Sequence, residues 1–260
     1  DKINLSRMYK HLNDVIRSID NDTIIFYEPC TGGNDLDATP VGFNAGPGGN
    51  KYNTKQSLSY HIYCPFVQSD VPFNGSWLKN ETIQACYELN GLQLNIRIND
   101  TNKLKTAGYL TEFGSIYYDE LGYDEIIFMM NECDHNLISW AYWYLTPSGD
   151  INSPNKEVPY VTRTYAYQIA SQNIVTMYFD QFSKNFTLSY YMDMNQFDRN
   201  MTTRIYWSKQ FQYINGLQYD IIPHGYVNVI IMENDNDIIL IPLKNPDNPN
   251  ILFTFNLWPK

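Results

Sequence analysis

Residues 108–114, GYLTEFG, decide how this chain reads. Tyr109, Leu110 and Phe113 give an apolar strand, and Glu112 sets a carboxylate at its end, just before Gly114. A lone Glu before a Gly is ordinarily a cap or turn residue. Two further strand ends change that reading. Upstream, residues 57–64, SLSYHIYC, form a strand with His61 and Tyr63 two residues apart, hence on one face. Downstream, residues 138–145, ISWAYWYL, carry Trp140 and Trp143 toward the end of another. In a parallel α/β barrel the C-terminal strand ends converge on one mouth, where such enzymes keep their active sites. A His-x-Tyr pair, a Glu and a Trp at three successive ends therefore read as a catalytic constellation.

Working outward, residues 23–27, TIIFY, give a short buried strand that stops at Glu28-Pro29. Before it, Met8, Leu12, Val15, Ile16 and Ile19 fall on one face of a helix over residues 7–20. A Gly-rich loop spans 32–49, and helices are expected at 81–89, around Ile126, Met130, Cys133 and Leu137, and at 163–172. Strands alternating with helices predict a parallel sheet. From Ile174 onward the pattern changes to short alternating segments such as NFTLSYYM, DIILIPL and ILFTFNLW, separated by Asn, Asp, Gly and Pro. That is the pattern of an antiparallel β-sandwich, so the expected domains are 1–173 and 174–260.

Composition narrows the function. A net charge of −10 argues against a nucleic-acid partner, whose phosphates need a basic surface. No apolar run approaches the ~20 residues that span a bilayer. The chain begins at Asp1 with no signal-peptide pattern, which reads as a processed or cloned end. Aromatics make up 15% of the chain, 22 of them Tyr, suited either to stacking on sugar rings or to packing in strands. Seven Asn-x-Ser/Thr sequons, at Asn4, Asn21, Asn74, Asn80, Asn99, Asn185 and Asn200, point to the secretory route. Cys30, Cys64, Cys86 and Cys133 fit one or two disulfides there, with three full pairings open. Their spacings match no zinc pattern, and neither a metal nor a cofactor is expected.

The motifs DNDTIIFYEP, LSYHIYCP, YLTEFG, SWAYWYL and RTYAYQIA, in this order, resemble those of endoglycoceramidases. These belong to the cellulase-type clan of retaining (β/α)8 glycosidases, glycoside hydrolase family 5. The resemblance covers residues 7–172; the remainder is similar in position and character to the family's C-terminal sandwich. It implies the C-terminal half of a TIM barrel, strands five to eight, followed by that sandwich. It also implies that Glu112, ending strand seven, is the nucleophile, that Tyr63 hydrogen-bonds its carboxylate and that His61 lines the same subsite. Trp143, near the end of strand eight, would be the platform under the sugar, with Trp140 the lesser candidate.

Retaining hydrolysis needs a second carboxyl about 5–5.5 Å from the nucleophile. In the family this is the Glu of an Asn-Glu-Pro motif ending strand four. Glu28-Pro29 is the only Glu-Pro here, yet no strand intervenes before the His-x-Tyr strand, so Glu28 ends strand five and lines the mouth as a substrate-binding residue. The acid/base is then expected from an N-terminal half-barrel, either a separate chain or an earlier segment. The implied substrate is a glycosphingolipid, glucosylceramide or an oligosaccharylceramide, met in the lysosome or after secretion, with peripheral membrane contact. The competing readings are a β-glucosidase acting on steryl glucosides or glucans, and a non-catalytic carbohydrate- or lipid-binding barrel.

Overall fold

A computed structural model describes residues 3–30, 38–67, 79–116, 120–144 and 158–260. Asn74 lies outside them. The chain forms two compact units, one of residues 1–133 and 138–157, the other of residues 134–137 and 158–260.

The first unit begins with helix α1, Asn4–Arg17. It stops where the Asp20 carboxylate takes the backbone N–H groups of Asp22 and Thr23, at 2.7 and 3.0 Å. A bond from the Thr23 hydroxyl, together with those two, holds the Asp20 carboxyl down at about 2. The chain then runs through β1 (Ile25–Tyr27), β2 (Gln56–His61), α2 (Lys79–Leu104), β3 (Ala107–Gly114), α3 (Glu120–His135) and β4 (Ser139–Trp143). The strands form one sheet in the order β1-β2-β3-β4, and all three pairings are parallel. Inner strands of a parallel sheet are covered on both faces, which is why Leu58, Tyr60, Leu110 and Phe113 are buried. α2 is far longer than its expected core at 81–89. Its buried side is largely polar, with Asn90, Gln93, Arg97 and Asp100 facing inward, so it lacks an apolar stripe. Arg97 pairs with Asp100 at 3.0 Å and donates to the Thr39 carbonyl at 2.6 Å, tying the Gly-rich loop onto this helix.

α1 wears its apolar side outward. Met8, Leu12, Val15, Ile16 and Ile19 are exposed, whereas Asn13 and Arg17 are buried. Arg17 donates to the carbonyls of Thr23 and Lys55, both at 2.7 Å. The outer edge of β1 is likewise open among the described residues, and Ile24 and Phe26 beside it are half exposed.

The second unit opens with a single helical turn, Val158–Val161, followed by eight strands. These are β5 (Tyr165–Gln168), β6 (Ile174–Phe179), β7 (Phe186–Tyr191), β8 (Thr203–Tyr206), β9 (Leu217–Ile222), β10 (Val227–Met232), β11 (Asp237–Pro242) and β12 (Leu252–Pro259). They make two antiparallel sheets, β10-β11-β8-β5 and β6-β7-β12-β9. Phe179, Phe186, Leu188, Phe253 and Phe255 from one sheet and Ile205, Ile238 and Leu240 from the other share a single apolar core. A buried ion pair, Arg163 to Asp134 at 2.6 Å, also lies within this unit. The helix expected at 163–172 is not formed. Tyr165-Ala166-Tyr167 is a strand whose Ala166 faces the core while both tyrosines face out, a period of two. The chain accordingly divides between residues 157 and 158, ahead of the expected boundary at 174.

Candidate active site

Glu112, His61, Tyr63 and Glu28 meet at the C-terminal end of the parallel sheet. β3 delivers Glu112 and β2 delivers His61, in register with each other. Both ladders beside Glu112 are irregular: the β2–β3 register shifts between Tyr60 and His61, and the β3–β4 register shifts between Leu110 and Phe113. Such bulges re-aim side chains at a strand end. Tyr63 lies just past the end of β2, not within it, and its hydroxyl donates to Glu112 Oε2 at 2.9 Å. His61 Nδ1 stands 3.1 Å from the same oxygen. The Glu112 side chain keeps 28% exposure, enough for the carboxylate to meet a ligand while Tyr63 holds Oε2.

The chain just beyond Tyr63 is fastened by the Cys64–Cys86 disulfide, which joins it to α2. Of the remaining cysteines, Cys30 is exposed and Cys133 buried. β3 ends at Gly114, whose φ of +110° is one that only glycine adopts freely. A Cβ there would fall 2.2 Å from the Tyr142 ring and 2.8 Å from the Trp143 carbonyl. The Ser115 N–H then donates to that carbonyl at 2.6 Å, binding the ends of β3 and β4 together.

The two tryptophans differ in setting. Trp143, at the end of β4, is 48% exposed, with Tyr144 edge-on to it at 5.6 Å. The peptide bond joining them is cis. Trp140 sits lower in the sheet, packed edge-on against buried Phe113 at 5.5 Å. An exposed indole at the sheet's C-terminal end can stack on a sugar face.

Glu28 follows β1, beside β2, and its Oε1 lies 3.3 Å from His61 Nε2. Tyr9, which the sequence did not single out, fixes its backbone: the hydroxyl donates to the Glu28 carbonyl at 3.0 Å and accepts from its N–H at 3.3 Å. The only sequence sign of that role is an aromatic residue on the polar side of α1. The sequon residues Asn4, Asn21, Asn80, Asn99, Asn185 and Asn200 are all exposed.

No family model matches the chain. The chain is similar over its whole length to a protein named endoglycoceramidase from Hydra vulgaris, 28% identical over 271 residues, and it spans 46% of that relative. Structures of endo-glycoceramidase II from Rhodococcus sp. superpose on 98% of the chain. The iminocyclitol complex gives a TM-score of 0.68 at 16% identity over 55% of that protein, and the ganglioside GM3 complex 0.65 at 15% over 54%. Sterylglucosidase 1 of Cryptococcus neoformans also superposes on 98% of the chain, with a TM-score of 0.68 at 13% identity over 44% of its length. The chain is thus endoglycoceramidase-like and spans about half the length of the curated relatives it matches.

Proposed function

We propose that this chain is the nucleophile-bearing half of a retaining glycosidase that cleaves the β-glycosidic bond of glycosphingolipids. The observation that carries the reading is the Glu112 carboxylate, held on one oxygen by Tyr63 and His61 at the end of a parallel sheet. A carboxylate fixed in this way, partly open to solvent, suits attack on an anomeric carbon to form a glycosyl-enzyme, which water then hydrolyses. Trp143 would carry the sugar in the adjacent subsite, and Trp140 would support the strand beneath it. The likeness to endoglycoceramidases supports a ceramide-linked substrate.

The four parallel strands would be strands five to eight of a (β/α)8 barrel. Their open β1 edge and the outward apolar side of α1 support a preceding segment that supplies the other four strands and the acid/base Glu. That Glu would lie about 5–5.5 Å from Glu112. The eight strands of the second unit would be the accompanying β-sandwich. Secretion or lysosomal delivery, with glycans on the exposed sequons, completes the reading; a mass shift on endoglycosidase treatment of the native protein tests it.

The function is tested by turnover in the full-length protein. A fluorescent ceramide glycoside should be hydrolysed at least tenfold faster, by kcat/KM, than matched alkyl and steryl glucosides. Preference for the steryl glucoside would favour a sterylglucosidase instead, and binding without turnover of any would favour a non-catalytic barrel.

A further inference from the structure

We infer that Glu28 is a positioning residue for the nucleophile, acting through His61; this rests on reading Glu112 as that nucleophile. The His61 ring has a carboxylate at each end. Its Nδ1 lies 3.1 Å from Glu112 Oε2 and its Nε2 lies 3.3 Å from Glu28 Oε1. The ring is bracketed between the two carboxylates, and Glu28 thereby fixes its orientation toward Glu112.

The carboxylate is built into place from below. Tyr9 clamps both the N–H and the carbonyl of Glu28, and buried Pro29 fixes the backbone that follows. The parallel pairing of Tyr27 with Leu58 ends β1 beside the middle of β2, and the Glu28 side chain reaches forward across the strand gap to His61. An orienting group behind a donor is the usual third member of an activated-nucleophile arrangement. With Tyr63 and His61 both on Oε2, the other Glu112 oxygen is left to attack.

The test uses the full-length protein and four forms of it: wild type, Glu28→Gln, His61→Asn and the double variant. Steady-state constants are measured on a β-glucoside with an activated leaving group, alongside the rate of inactivation by a 2-fluoro glycoside. Glu28→Gln should lower kcat and the inactivation rate roughly tenfold or more, the scale on which orienting partners act. KM should stay within about twofold, because an interaction made in the transition state is what has been lost. The double variant should be no slower than His61→Asn alone, since two residues acting as one unit are not additive. Should Glu28→Gln fold poorly, Glu28→Asp, which withdraws the carboxylate by one methylene, should show the same kcat loss. Wild-type kcat in the Glu28 variants, a KM effect alone, or losses that multiply in the double variant would each overturn the role. The inactivator separates this from the underlying reading. Label on Glu112 with unaffected Glu28 variants sinks only the positioning role, whereas label on another residue sinks the nucleophile assignment as well.

Discussion

One oxygen of Glu112 accepts a hydrogen bond from Tyr63 and faces His61, and each neighbour should matter in proportion to what it holds. Glu112→Gln removes the proposed nucleophile and should abolish turnover while leaving the fold and substrate binding intact. Tyr63→Phe removes a single hydrogen bond to a charged group, worth about 1.5–3 kcal/mol, so kcat should fall roughly 10- to 100-fold. Equal losses in the two variants, measured at saturating substrate, would contradict that division. Gly114 is a structural requirement of the same site. Gly114→Ala should cost more than about 1 kcal/mol by thermal unfolding, because its φ is positive and a Cβ would meet the Trp143 carbonyl. The sequence made Glu112 and His61 legible through their places on strands, and Tyr63 through its two-residue spacing from His61. It could not show that Glu28 touches His61, because that contact depends on which strands are neighbours and in what register.

At the scale of elements, the α2–α3 contact buries Glu125, which accepts from Asn90 Nδ2 at 2.8 Å. Burial pushes its carboxyl up to about 8, so the folded protein keeps it neutral. Below about pH 4.5 the group is protonated in both folded and unfolded chains and adds no pH dependence. Between there and pH 8 only the unfolded chain releases the proton, so stability falls as pH rises; above pH 8 the full penalty is present. Glu125→Gln should therefore flatten this decline, raising the denaturation midpoint at pH 8 relative to wild type while changing it little at pH 4. An unchanged slope of stability against pH would exclude the role. Elements are legible where buried apolar residues recur along a short strand, as with Leu58 and Tyr60 in residues 57–61 and Leu110 and Phe113 in residues 108–113. The polar buried side of α2 hides most of its length from the sequence pattern, and β5 reads as helix because Tyr165 and Tyr167 hide a two-residue period behind bulky outward side chains.

Across the whole molecule, the outward apolar side of α1 and the edge of β1 that is free among the described residues are what the proposed preceding half-barrel would cover. Amide exchange tests this directly. Residues 4–17 and 25–27 should exchange faster in the 260-residue chain than in the full-length protein. Equal protection in both would mean that these surfaces are already satisfied. The order of strands and helices carried this expectation in sequence. The place where the chain changes unit did not show, since one turn at 158–161 and a four-residue strand leave too little pattern to separate from a helix.

The central claim is that Glu112 attacks the sugar, and covalent trapping tests it most directly. The full-length protein is inactivated with a 2-fluoro β-glycoside, digested, and the glycosylated peptide sequenced by mass spectrometry. The sugar is expected on Glu112, within the peptide that contains GYLTEFG. Label on Glu28 would contradict both the role given to Glu112 and the placing of β1 as the fifth strand of a barrel.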